Sequence, residues 1–286
     1  MLRKIIAIGA LCLLLFGCTP AAEPARVAAT TLPVYEFTLR LCQGTDLTVC
    51  RLVTDSVSCL HDYTLNVGQV RAARGAELIV LSGGGLEDFM SDILADKPVI
   101  DSSAGIPLLE CAEEHDHDHH HEEDNHFWLS PGNAAMMATN ICQGLSRQYS
   151  EYSTIFAENL QSLLADILAV ENYANTQLKD LSCRELITFH DGFSHLADAF
   201  DLTVLKAMEE ESGSEASASE LKELITLVRS HNLPAVFTER NGSTAAAGVI
   251  SAETGVRVFA LDMAISGDSW FTAMYHNIDT LKEALE

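Results

Sequence analysis

No glycine occurs between Gly144 and Gly192, and no proline between Pro131 and Pro234. A stretch without either breaker has little to interrupt a helix. Within it Ile155, Leu160, Leu163, Leu164, Ile167, Leu168 and Val170 recur at helical spacing. The pattern predicts a helix over 152–181, on the order of 45 Å long at 1.5 Å per residue. Such a helix outlasts the usual globular one and sits mid-chain. Charges do not repeat cleanly at its flanking positions, which argues against a coiled-coil partner. It reads as a rigid strut, occupying 151–181, between two lobes.

The text on either side supports that division. Strand-like runs at 27–31, 47–53, 77–81 and 98–100 alternate with helical runs at 34–41, 67–73 and 86–95, and Ser130-Pro131 is a strong helix start. After the strut, strand-like runs at 186–189, 203–207, 235–239 and 256–261 alternate with helices expected at 192–200, 221–230 and 270–285. Ser217 and Glu220 form a capping box before the second of these. The run 209–214 reads as a solvated linker. Alternating strands and helices imply parallel sheets. The expected fold is α/β: an N-terminal lobe at 26–150 and a C-terminal lobe at 182–286, each a parallel sheet flanked by helices.

Charge and termini narrow the function. The chain has 286 residues, 17 Lys plus Arg against 41 Asp plus Glu, and a formal net charge of −24. That surface repels nucleic-acid phosphates and anionic lipid, and it concentrates cations. Nucleic-acid binding is excluded. Arg3 and Lys4 precede an apolar run, Ile5 to Phe16, too short to span a bilayer. It ends Phe16-Gly17-Cys18, which resembles a bacterial lipobox, although Phe16 is bulkier than that pattern usually has. Residues 1–17 are thus expected to be a lipoprotein signal peptide, Cys18 the lipidated first residue and 18–25 a tether; a plain secretory signal is the other reading. Either places the mature chain outside the cytoplasm, and the first anchors it to the cell membrane by lipid. Six further cysteines, Cys42, Cys50, Cys59, Cys111, Cys142 and Cys183, are compatible with disulfides but allow 15 pairings. Cys59 stands two residues before His61 and is read as structural, a disulfide partner or a buried thiol.

The chemistry lies in the histidines. Six of the 11 fall within 115–126, interleaved with seven carboxylates between Glu113 and Asp124. The tract 113–126 reads as a loop whose His115, His117, His119, His120 and His121 bind divalent metal loosely and in several ways. The hydrolase motif H-x-H-x-D-H is only a near miss there, because residue 119 is His where Asp is required, and H-E-x-x-H is absent. Elsewhere position decides. His61, His126, His190 and Asp262 all lie beyond carboxyl ends of expected strands, where open α/β sheets place their ligands. Two come from each lobe, so three imidazoles and a carboxylate are expected to form a tetrahedral Zn2+ site in the interlobe cleft. His195, His231 and His276 fall in or at helices and are read as structural or exposed.

Five segments together carry a family resemblance: Cys59 to Tyr63, Glu77 to Glu87 with its Gly83-Gly84-Gly85, His126 to Pro131, Phe189 to Phe193, and Leu261 to Met263. In order and combination they resemble the zinc/manganese substrate-binding lipoproteins of ABC importers, zinc-uptake type, from about Arg26 to Glu286. The resemblance implies metal ligands at His61, His126, His190 and Asp262, with Glu239 as another candidate for the fourth position, which can also be water. It implies Zn2+ as cargo, Mn2+ in some relatives, an ABC permease in the membrane as partner, and a monomer. The chain departs from the pattern at Asn125, where Asp is expected, so the orientation of His126 is expected to differ, and in its cysteines, which are expected to rigidify a lobe.

Three functions compete at this level. A binding protein that captures zinc and hands it to a permease fits all the segments. A zinc enzyme would need a general base beside a metal-bound water, and no motif supplies one; the chain is read as no enzyme. A surface adhesin or metal buffer would use the histidine tract alone.

Overall fold

The computed structural model describes residues 25–54, 60, 63–110, 123–208 and 216–286. The N-terminal lobe runs β1 (Val27–Ala29), α1 (Leu32–Leu41), β2 (Val49–Arg51), α2 (Val67–Gly75), β3 (Leu78–Leu81), α3 (Ser91–Leu94) and β4 (Val99–Asp101). A two-stranded antiparallel pair, β5 (Leu109–Glu110) and β6 (Glu123–Asp124), follows, then α4 (Pro131–Gln148) and the long α5 (Ser153–Gln177). The C-terminal lobe runs β7 (Glu185–Thr188), α6 (Ser194–Ala199), β8 (Thr203–Ala207), α7 (Ala218–His231), β9 (Ala235–Glu239), α8 (Ala245–Thr254), β10 (Arg257–Leu261) and α9 (Trp270–Leu285). Each lobe holds a four-stranded parallel sheet, ordered β2-β1-β3-β4 and β8-β7-β9-β10. The two orders are the same: the first strand lies between the second and third, and the fourth lies outside the third. Each sheet therefore has a switch point beyond its first and third strands, where connections depart in opposite directions.

Capping chemistry sets the helix starts as expected. Ser130 Oγ accepts from Asn133 N, and Ser217 and Glu220 exchange both bonds of the capping box. Asn66 and Gln69 form a second box that the sequence reading passed over. Three expectations change. The helix expected at 86–95 shrinks to a 3-10 turn, Asp88–Met90, and α3, because Gly83, Gly84 and Gly85 all take positive φ and keep the chain turning. The long helix ends at Gln177, where the Arg184 guanidinium binds the carbonyls of Leu178 and Lys179 at 2.9 and 3.1 Å. The helix α8 was not expected at all, since its Ala-rich sequence carries no amphipathic stripe.

The long helix is also more than a strut. Its Phe156, Leu163, Ile167, Val170 and Ala174 are buried in one apolar core shared by both lobes, with α1, α4 and α9 beside it. Smaller cores fill the outer faces, under α2 and α3 on one sheet and under α7 and α8 on the other. Hydrogen bonds stitch the lobes together. Trp128 Nε1 donates to Met263 O at 2.8 Å, Trp270 Nε1 to Trp128 O at 2.9 Å, and Leu32 N to Ile265 O at 3.1 Å. Glu36 reaches across to accept from Trp270 N and Ser269 Oγ at the start of α9, where the helix dipole favours a carboxylate.

Cys42, Cys50, Cys142 and Cys183 are free thiols, which corrects the expectation that the cysteines cross-link a lobe for these four. Cys42 and Cys142 are buried in the shared core instead, and burial pushes the Cys42 thiol up to about 12. Cys59 and Cys111 lie outside the described residues, as do the leader, the tether to residue 24 and the linker at 209–214. Among the described residues no helix is long and apolar enough to cross a membrane.

The switch point of the first sheet is closed by Glu87. Its carboxylate is buried and accepts from Thr30 Oγ1 at 2.6 Å, Ser82 N at 2.7 Å and Gly83 N at 3.0 Å. Burial outweighs these donors and pushes Glu87 up to about 7. The folded state then holds this proton more tightly than the unfolded chain, so the stability it contributes is complete below the ordinary 4.5 and lost as pH rises through about 7. Glu87→Gln, neutral throughout, is expected to flatten the fall in stability across that window, read from urea midpoints at a series of pH values. An unchanged profile would show that Glu87 keeps its charge there.

Candidate metal centre

The loop between β4 and α4 brings in the first ligand candidate. After β6 the chain turns at Asn125 and brings His126 back onto the Asp124 side chain. Asp124 Oδ1 accepts from both His126 N and His126 Nδ1, at 2.8 and 2.9 Å. A proton on Nδ1 leaves Nε2 as the ligand nitrogen. His126 is 2% exposed, and its Nε2 is buried with no hydrogen-bond partner among the described residues. Burial alone would raise the Asp124 carboxyl, but the bonds and charge of His126 outweigh it and hold Asp124 at about 2. The sequence reading looked for this carboxylate at residue 125 and missed it. Asn125 instead donates from Nδ2 to Gly84 O at 3.2 Å, and Asp124 is the carboxylate that holds His126. The signal was legible: an Asp two residues before the His, able to reach both its backbone N and its ring.

The second lobe contributes His190, just beyond β7, and Glu239, the last residue of β9. They face each other across the switch point, with His190 Nδ1 3.7 Å from Glu239 Oε2. Both are buried, at 7% and 3% exposure. The two histidine rings lie 5.3 Å apart, centre to centre, at 82°. Two imidazoles sharing one tetrahedral zinc, with Zn–N bonds of about 2.0–2.1 Å, have ring centres about 5 Å apart. Gly192 permits this approach: a Cβ there would lie 2.7 Å from His126 Nδ1 and 2.6 Å from Met263 Cε.

Asp262 follows β10 at the same end of the sheet, next to Met263. Its Oδ2 accepts from Arg240 Nη1 at 3.0 Å and its Oδ1 from Ala264 N at 2.8 Å. Among the described residues no three His, Cys, Asp or Glu donors converge on one point. His61, the histidines 115–121 and Cys18 lie outside the described residues. The pairing of Leu109 with Asp124 and Glu110 with Glu123 brings together the two described residues that flank 111–122.

The remaining histidines are structural or exposed, as expected. His195 donates from Nε2 to Asp124 O and accepts from Asn133 Nδ2 at Nδ1, and burial lowers its pKa. His231 pairs with Glu185 at 2.9 Å, and His276 is exposed. Gly192→Ala is expected to cost about 1–3 kcal/mol by forcing a methyl against the His126 ring. Thermal unfolding checks this, and a wild-type midpoint would show that the ring yields freely.

Comparison with known proteins agrees with this architecture. The family model described as zinc-uptake complex component A, periplasmic, matches residues 27–284. The zinc-binding lipoprotein AdcA of Streptococcus pneumoniae is 27% identical over 281 residues, 91% of this chain and 56% of the relative. The high-affinity zinc uptake system protein ZnuA of Bacillus subtilis is 25% identical over 91% of this chain and 87% of its own length. The chain spans little more than half the length of the AdcA proteins it matches. A crystal structure of ZnuA superimposes with a TM-score of 0.78 at 29% identity, covering 92% of this chain and all of that one. With nearly the whole chain matched from β1 into α9, the protein belongs to the zinc-uptake complex component A family.

Proposed function

We propose that the chain is the extracytoplasmic substrate-binding protein of an ABC importer, which captures Zn2+ between its lobes and delivers it to a membrane permease. The ligands are His61, His126 and His190, with Asp262 as the fourth. Asp124 and Glu239 each face the Nδ1 of one histidine and present the opposite nitrogen to the metal, as carboxylates behind metal-bound imidazoles do. The observation that carries the reading is the buried His126 Nε2, set beside a second imidazole at the spacing a shared zinc requires. With Glu239 Oε2 3.7 Å from Nδ1 of His190, Glu239 is taken as the group behind that imidazole and Asp262 as the fourth ligand.

The surroundings agree. Three imidazoles and one carboxylate suit a borderline-soft, four-coordinate ion, whereas Mn2+ favours oxygen-rich sites of higher coordination. The formal charge of −24 draws cations toward the cleft. The tract at 113–122, whose flanking residues pair as β5 and β6, collects metal for the site. Cys18 carries the lipid that holds a monomer at the cell membrane. The protein binds and releases its cargo without making or breaking covalent bonds.

Replacing His61, His126 or His190 singly with Ala is expected to weaken zinc binding by more than the 10- to 100-fold or so that loss of an outer-shell partner costs. His190→Glu is expected to weaken Zn2+ more than Mn2+. Competition against a strong chelator measures both, and near-native zinc affinity in all three Ala variants would overturn the assignment. Deleting 113–122 is expected to remove weak binding and leave one tight site. Loss of the tight site with the tract would instead support a metal buffer.

A further inference from the structure

The strands β9 and β10 run parallel, with Glu239 opposite Leu261. The next pair, Arg240 and Asp262, lies just beyond the sheet. Arg240 N extends the ladder to Leu261 O at 2.8 Å. Successive side chains alternate faces, so Glu239 turns inward to His190 while Arg240 lies beside Asp262. The Arg240 side chain is 59% exposed and that of Asp262 is 16% exposed, with the guanidinium donating from Nη1 to Oδ2 at 3.0 Å. The other oxygen, Oδ1, is held by Ala264 N at 2.8 Å. The backbone of Asp262 is clamped as well: its N donates to Asn277 Oδ1 at 2.7 Å, and Asn277 Nδ2 donates to its O at 2.8 Å. Arg240 is therefore the solvent-facing partner of a carboxylate whose main chain is held by hydrogen bonds.

We infer that Arg240 is a latch on Asp262, which competes with the metal for this carboxylate and so sets the affinity and release rate of the site. The inference rests on the reading of Asp262 as the fourth ligand. A carboxylate oxygen engaged by a guanidinium has its charge partly offset and a lone pair occupied, and a metal would use both. Metal entry must displace the guanidinium, and as metal leaves Arg240 recovers its partner. Apparent affinity falls by the fraction of molecules in which the carboxylate is already engaged. The pair is partly exposed, so the effect is modest, because exposed ion pairs are weak. It nonetheless acts in the direction that eases transfer to a permease.

The test compares the full chain with Arg240→Gln, Asp262→Asn and the double variant. Zn2+ affinity and release rate are read against a chelator strong enough to compete for the tight site, and thermal unfolding confirms that each variant is folded. Arg240→Gln is expected to bind Zn2+ about two- to fivefold more tightly, with most of the change in slower release. Higher salt should narrow that difference by screening the wild-type pair. In the Asp262→Asn background the substitution of Arg240 should have no effect. If Arg240→Gln binds no better while Asp262→Asn binds worse, the latch is wrong and the ligand assignment stands. If the gain persists in the double variant, Arg240 acts only by general charge repulsion, and the latch is again wrong. If Asp262→Asn alone leaves affinity unchanged, the fourth-ligand reading itself fails.

Discussion

The site depends on one buried carboxylate. Asp124 accepts from the backbone and ring of His126 on one oxygen and from Ser194 N, across the lobe boundary, at 3.0 Å on the other. Its own carbonyl takes His195 Nε2 at 3.0 Å. A carboxylate that deep in protein is tolerable only when its charge is well satisfied, and these donors hold it ionised at about 2. Satisfying Asp124 therefore does two things at once. It fixes the tautomer and direction of the first histidine, and it ties the loop that carries that histidine to the segment leading from His190 into α6.

The lobes repeat one strand order and use the switch point differently. In the N-terminal sheet the space beyond β1 and β3 is filled internally, with Glu87 accepting from Thr30, Ser82 and Gly83. No ligand is needed there, and the Gly-rich turn is simply held down. In the C-terminal sheet the same space beyond β7 and β9 holds His190 and Glu239. One switch point is filled from within its own lobe and the other sets His190 against His126 of the first lobe. The Trp128 and Trp270 indoles, each hydrogen-bonded to backbone across the boundary, keep the two lobes at the spacing on which the approach of His126 to His190 depends.

Much of this was legible along the chain. The strand–helix rhythm, the mid-chain helix, the caps at Ser130 and Ser217, and strands such as Thr203–Ala207 and Ala235–Glu239 follow from periodicity and from residues whose local chemistry acts within one turn. The histidines stood out because each follows an expected strand. The helix α8 was illegible because a run of alanines packs through small size rather than through a patterned face. The cysteines misled in part: six in a chain read as exported were compatible with cross-links, yet Cys42 and Cys142 are free thiols that behave as small apolar core residues.

By itself the sequence determined the family of the fold, its division about a long helix and the histidines set beyond strand ends, since these depend on periodicity, short-range capping and motif order. Tertiary structure alone decided which carboxylate serves which histidine. Asp124 rather than residue 125 orients His126, Glu239 faces His190, and Asp262 is engaged by Arg240. Those pairings bring together side chains from different strands and lobes, and what selects them is register, burial and the need of each buried charge for a partner.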